Sequence, residues 1–177
     1  MASKTLSQKF FKKPTLEIAR RLLGKYLCRR YRGKTIKLMI TEVEAYDGFE
    51  DKASHASRGI TLRNKIMFGP AGYWYVYFTY GIHFMLNIVT GKKGYPAAVL
   101  IRSAKTANQQ INGPARLTKF LHINKSLNEK IMSRKTSLWI KDGGLKLKPF
   151  QIKSSPRIGV NFAGPAWSKK KYRFYIK

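Results

Sequence analysis

Ile40-Thr41-Glu42-Val43-Glu44-Ala45-Tyr46-Asp47-Gly48-Phe49-Glu50-Asp51 contains five of the chain's eight acidic residues. The others, Glu17, Glu129 and Asp142, stand far from it in sequence. Among 36 Lys and Arg, carboxylates scattered for solubility would not concentrate this way, so the segment has a local use for negative charge. Alternation gives it a shape: in an extended strand, Ile36, Leu38, Ile40, Glu42, Glu44 and Tyr46 share one face. Three apolar residues there run into two carboxylates and a phenol, so the strand is expected to pass from a core into a polar site. A solvated edge in which Glu42 and Glu44 pair with lysines fits the periodicity equally well. The aromatic segment downstream favours the site.

Working outward, Tyr26 to Tyr31 and Thr35 to Ala45 read as strands around an Arg32-Gly33-Lys34 turn, a hairpin whose second strand delivers the acidic cluster. Upstream, Pro14-Thr15 followed by Leu16, Ala19, Leu22 and Leu23 has helical spacing, with a capping residue ahead and Gly24 behind. Its Arg20 and Arg21 read as a solvated basic face. Downstream, Lys52 to Gly72 is loop-like and carries His55, Arg58, Arg63 and Asn64. Tyr73 to Val89 reads as an aromatic hairpin tipped near Tyr80-Gly81, and Ala97 to Ala104 as an apolar strand ending near Arg102. Gly113-Pro114 opens a helix through Leu117, Phe120 and Leu121. Leu138-Trp139-Ile140, Arg157-Ile158-Gly159-Val160 and Arg173-Phe174-Tyr175-Ile176 read as short strands between lysine-rich loops.

At 177 residues the chain can bury most of its apolar surface around one core, and no composition shift marks a second domain, so a single domain over residues 1–177 is expected. The formal charge of +28 makes a compact monomer repel itself, a cost that fits a polyanionic partner, nucleic acid first. No apolar run is long enough to span a membrane, and no basic amphipathic helix stands apart from the core. The start, Met-Ala-Ser-Lys-Thr-Leu-Ser-Gln-Lys, has no apolar signal core, and the single Cys28 cannot form an internal disulfide; both fit a reducing cytoplasm.

Between Phe68 and Phe84 lie Tyr73, Trp74, Tyr75, Tyr77, Phe78 and Tyr80, more large rings than an average strand pair needs. A plain core accounts for Trp74 and Phe78. Exposed rings on so basic a protein suggest stacking on bases or a wedge pushed between base pairs. Asn87 interrupts the apolar run from Phe84 to Val89. A buried amide without partners costs on the order of 1–3 kcal/mol, so it should have a specific partner, of which backbone is the simplest. His55 by itself reads as a surface residue. No His/Cys spacing suggests zinc, and the residues call for no metal or cofactor.

Taken together, these segments resemble the 3-methyladenine DNA glycosylases of the alkyladenine (methylpurine) type. The resemblance rests on Ala19-Arg20-Arg21-Leu22-Leu23-Gly24, Thr41-Glu42-Val43-Glu44-Ala45-Tyr46, Glu50-Asp51-Lys52-Ala53-Ser54-His55, Arg63-Asn64, Met67-Phe68, Tyr75-Val76-Tyr77, Tyr80-Gly81 and Asn87. It continues through Val99-Leu100-Ile101-Arg102, Asn112-Gly113-Pro114 and Arg173-Phe174-Tyr175, in order along nearly the whole chain. It implies an α+β fold: one mixed domain with a curved antiparallel sheet, flanking helices and a protruding aromatic hairpin that enters the minor groove of DNA. By position, Glu44 would activate the hydrolytic water, assisted by Arg102. Tyr46, His55 and Tyr77 would line a pocket for the flipped base, Asn87 would guard selectivity, and Tyr80 would fill the gap left in the duplex. The partner implied is double-stranded DNA containing damaged purines, met by a cytoplasmic monomer that is nucleoid-associated through DNA if bacterial. Two departures bear on local DNA contacts: Lys105 to Ile111 is a shorter join than that family has, and Ala115-Arg116 stands where a glycine and a lysine are expected.

The chemistry agrees with this carry-over, because N-glycosidic hydrolysis calls for a carboxylate that orients water and stabilises an oxocarbenium-like sugar. An alkylated purine is already cationic, so electron-rich rings can select it by cation–π attraction of roughly 0.5–2 kcal/mol. Two rivals remain. A magnesium nuclease would use Glu42, Glu44, Asp47, Glu50 and Asp51 as ligands; a non-catalytic nucleic-acid-binding module would need only the charge and the rings.

Overall fold

The computed structural model describes residues 4–177; residues 1–3, the first part of the polar start, lie outside the described residues. The chain begins with β1 (Lys4–Thr5), α1 (Gln8–Phe11) and α2 (Thr15–Leu22). The hairpin β2 (Tyr26–Tyr31) and β3 (Lys34–Asp47) follows. Next come β4 (Trp74–Thr79), β5 (His83–Val89), β6 (Ala97–Lys105), β7 (Gln110–Ile111) and α3 (Pro114–Phe120). The chain closes with β8 (Leu138–Asp142), β9 (Ile152–Ser155), α4 (Gly164–Ser168) and β10 (Arg173–Ile176).

These strands form one antiparallel sheet of mixed α+β architecture, ordered β1-β8-β2-β3-β6-β5-β4, with β10 against β3 and β9, and β7 against β6. β3 is the organising strand. It pairs with β2 over its first half, with β10 from Glu42 to Glu44, and with β6 from Met39 to Asp47. α2 lays Ile18, Ala19 and Leu22 on the core side of the sheet, where they meet Leu38, Ile40, Val43, Val99, Ile101 and Trp74. Thr15 is the first residue of that helix rather than its cap; its buried hydroxyl bonds with Thr90 Oγ1 at 3.2 Å.

The expected alternation along β3 fails at its centre. Ile40 pairs with Ala104 and Val43 with Ile101, but between them Glu42 pairs with Ser103, so Thr41 and Arg102 fall outside the register. Such bulges set two consecutive side chains on one side of a strand. Leu38 and Ile40 therefore share the core with Val43 and Ala45, while Thr41, Glu42 and Ser103 line a polar cavity on the other face. A regular strand would have sent Glu42 and Glu44 into the apolar core with Ile40, where an unpaired carboxylate is very costly. The bulge instead keeps both the apolar and the acidic sequence facing suitable surroundings.

Two further expectations are corrected. Arg157-Ile158-Gly159-Val160 is a loop, because Gly159 sits at φ +74° and the Ile158 N–H bonds a side chain instead of a neighbouring strand. Phe78 is 49% exposed and packs against Phe84, whereas Trp74 is fully buried as expected. Position along the strand decides between them, since Trp74, Val76 and Phe78 share one face but Phe78 lies beyond the edge of the core on the projecting hairpin. The stretch after β3, expected as loop, contains two 3-10 turns, His55–Arg58 and Lys65–Phe68.

Candidate active site

The outer face of the sheet carries a row set by register alone. Tyr75 pairs with Asn87, Asn87 with Leu100, Leu100 with Glu44, and Glu44 with Arg173. The neighbouring residues Trp74, Ile88, Val99 and Ala45 form the matching row on the core side. Over the outer row lies a cavity of about 290 Å³, walled on one side by the His55 turn and on the other by the loop holding Ile158 and Phe162. Glu44, Tyr46, His55, Tyr77, Tyr80, Asn87 and Arg102, the residues singled out in the sequence, all border this one cavity.

Glu44 has no accessible surface. Its Oε2 accepts the Tyr46 hydroxyl at 2.9 Å, and its Oε1 accepts the Ile158 N–H at 2.8 Å and faces Arg102 Nη1 at 3.3 Å. Burial, with Glu44 next in weight, holds the Tyr46 phenol well above the usual tyrosine range, so it remains a donor. Arg102 reaches both carboxylates from its bulge, its Nε donating to Glu42 Oε1 at 3.0 Å. Glu42 is further occupied by the Ser103 hydroxyl at 2.6 Å and by Arg173, which also lies 3.0 Å away. The two acidic residues thus have different situations: Glu42 holds arginines in place, and Glu44 borders the cavity.

The aromatic wall is interlocked. His55 Nδ1 lies 2.9 Å from the Tyr75 hydroxyl, and the His55 and Tyr77 rings meet edge to face at 4.8 Å. Desolvation, with Arg63 second, brings the His55 pKa down to about 4, which leaves the ring neutral at pH 7 and able to accept the phenol proton. Burial likewise pushes Tyr77 up to about 12. Arg63 lies 4.7 Å from the Tyr77 ring centroid, and its Nη2 donates to the Phe78 carbonyl. Asn64 fixes the His55 turn by donating to the carbonyls of His55 and Gly59 at 2.8 and 2.9 Å. Asn87 donates through Nδ2 to the Tyr75 carbonyl at 3.1 Å, the backbone partner its burial required. Tyr80 stands at the hairpin tip, 86% exposed, in a left-handed turn with Gly81 at φ +52° and +69°.

The acidic segment disperses rather than converging. Glu42 and Glu44 point to separate cavities, and Asp51 is buried in a bidentate pair with Arg157. Among the described residues no three His, Cys, Asp or Glu side chains gather to hold a metal ion, so the nuclease reading is not favoured. No described helix is long and apolar enough to cross a membrane. Sequence reading missed Arg157 and the Ile158 N–H. The glycine in Arg-Ile-Gly-Val was the available signal, since a glycine inside an apparent strand often marks a turn or bulge.

The sequence signature of the Methylpurine-DNA glycosylase (MPG) family matches residues 9–177. A protein of Methanocella arvoryzae, provisionally named a 3-methyladenine DNA glycosylase, is 41% identical over 97% of this chain and 92% of its own length. One from Legionella pneumophila with the same provisional name is 41% identical over 97% of this chain and 94% of its own. A third, from Rickettsia peacockii, is 44% identical over 88% of this chain and 82% of its own.

Proposed function

Because this chain belongs to the methylpurine-DNA glycosylase family, we propose that it flips an alkylated purine out of the duplex into the cavity over Glu44 and hydrolyses its N-glycosidic bond with a water activated by that carboxylate. The enzyme class is that of the family, a DNA-3-methyladenine glycosylase acting on DNA. What supports the finer mechanism is the single cavity that gathers a buried carboxylate, an arginine, three tyrosines, a histidine and an asparagine beside an exposed aromatic hairpin tip.

Glycoside hydrolysis develops positive charge on the sugar, and a carboxylate held in a closed site both orients water and stabilises that charge. With no accessible surface, Glu44 must gain an opening before a water reaches it. The Arg102 contact, at 3.3 Å the longest of its three, is the one a water most readily enters. Arg102 remains tethered to Glu42 meanwhile, so it can hold the incoming water on its other nitrogens. Tyr46 and Tyr77 each carry a guanidinium at 4.8 and 4.7 Å, from Arg157 and Arg63, which leaves the rest of each ring to meet the cationic purine. The Tyr80 tip fills the hole left in the stack.

The decisive experiment is chromatography of bases released from methylated duplex DNA with EDTA present. Free 3-methyladenine is expected. Strand cleavage without free base, or binding without release, sinks the reading.

A further inference from the structure

Asp51 and Arg157 lie 106 positions apart, and neither side chain has any exposure. The guanidinium grips both carboxylate oxygens, Nη2 to Oδ1 at 2.8 Å and Nη1 to Oδ2 at 2.5 Å, while Nη1 also donates to the Ala45 carbonyl at 2.8 Å. Asp51 in turn accepts the N–H groups of Asp47 and Ala53, each at 3.1 Å. Tyr46 and Tyr172 cover the guanidinium at 4.8 and 5.2 Å.

As a stability device this is a poor investment. Desolvating both charges offsets most of their attraction. Arg157 Nε is moreover buried without a hydrogen-bond partner among the described residues, a further cost. What the pair does accomplish is geometric. Arg157 is fastened to the carbonyl of Ala45, the residue after Glu44, and its own next residue, Ile158, turns its N–H onto Glu44 Oε1 at 2.8 Å.

We propose that the Asp51–Arg157 pair is a positioning device for the base, holding the Ile158 N–H against Glu44 so that a carboxylate closed to solvent stays aimed into the cavity. The inference rests on the reading of Glu44 as the base. Desolvation favours the neutral acid, which cannot take a proton from water; hydrogen bonds and cations favour the anion. Arg102 faces Glu44 from β6, Tyr46 from β3 itself and Tyr77 more distantly from β4. Arg173, its register partner on β10, directs its guanidinium to Glu42. Among these the Ile158 N–H is the contact supplied by a loop, which no strand register holds in place, and the buried pair fastens that loop.

Single-turnover release of methylated base from alkylated duplex DNA, measured against pH, tests this. The substrate purine is already cationic, so an acid limb reports the enzyme, and His55→Gln in the same assay removes the ring whose pKa is about 4 and leaves the carboxylate. In Asp51→Asn the limb should move to higher pH by about one unit, and in Arg157→Lys, which keeps one bond to Asp51, by less. Because acid unfolding also raises such a limb, circular dichroism is followed over the same pH range, and only a midpoint that moves while the variant stays folded counts for the proposal. Unmoved midpoints in both variants, with only a lower amplitude, would make the pair merely structural and overturn the proposal. Glu44→Gln in the same assay separates the two failures. Normal release by that variant overturns the assignment of the base, whereas lost release with unmoved limbs in the other two overturns only the positioning role.

Discussion

Tyr46 donates its phenol proton to Glu44 Oε2 at 2.9 Å, from a position two residues further along the same strand. The spacing places both on one face, so the contact needs no loop or helix to hold it. Replacing Tyr46 by Phe keeps the ring and deletes one donor to the carboxylate. The rate of base release at neutral pH should fall about tenfold or less, with the acid limb shifted upward. An unchanged pH profile would leave the hydrogen bond without a part in the chemistry.

Glu44→Gln should preserve binding to damaged duplex and lose about 10²–10⁴-fold in base release, because an amide keeps the shape and cannot accept a proton. Glu42→Gln should cost less, since Glu42 acts through Arg102 and Arg173 rather than on the cavity. Equal losses in single-turnover assays would remove the reason to prefer Glu44.

Tyr80 is 86% exposed at the hairpin tip, with Ile82 beside it at 69%. Tyr80→Ala should weaken capture of a damaged duplex about tenfold while changing capture of a damaged single strand little, because only the duplex has a gap to fill. Gel-shift titrations on both substrates decide it, and matching losses would make Tyr80 a general contact.

Asn87 is 2% exposed, and its amide is held by the Tyr75 carbonyl. A fixed polar group against the flipped base can exclude the exocyclic amino group of guanine, at a cost of about 1–3 kcal/mol. Asn87→Ser should therefore raise excision of guanine relative to hypoxanthine by about tenfold, with an unchanged circular dichroism spectrum. A constant ratio would confine Asn87 to its bond with the strand.

His55 should remain neutral well below the usual range, since its pKa falls to about 4. The unfolded chain binds that proton more readily, so the stability linked to His55 is present above about pH 6.5 and is lost as pH falls toward 4. His55 is an exposed residue, and solvent screening softens the effect. Urea midpoints should fall between pH 7 and pH 4.5 more steeply for the wild type than for His55→Gln. Parallel slopes, or a His55 ring signal titrating near pH 6.5 by NMR, would contradict this.

Much of the fold was legible because its signals are local. The β2–β3 turn, the aromatic hairpin ending at Tyr80-Gly81 and the proline-started α3 each depend on residues within a few positions of one another. The residues that the ordered resemblance proposed for the site are gathered by the structure at one cavity. Periodicity alone did not separate Glu42 from Glu44, because both have the same parity along β3.

The sequence by itself determined that a strand rich in carboxylates and an aromatic hairpin would both form inside a strongly basic chain, since composition and alternation are properties of neighbours. Only the tertiary structure decided which carboxylate borders the cavity and what surrounds it. The bulge that turns Thr41 and Glu42 together away from the core exists only when β3 pairs with β6. The Ile158 N–H reaches Glu44 across 114 positions, from a stretch whose sequence reads as a strand. Hydrogen-bond partners for a buried group come from whatever chain is folded against it, and local patterns carry no information about that distance.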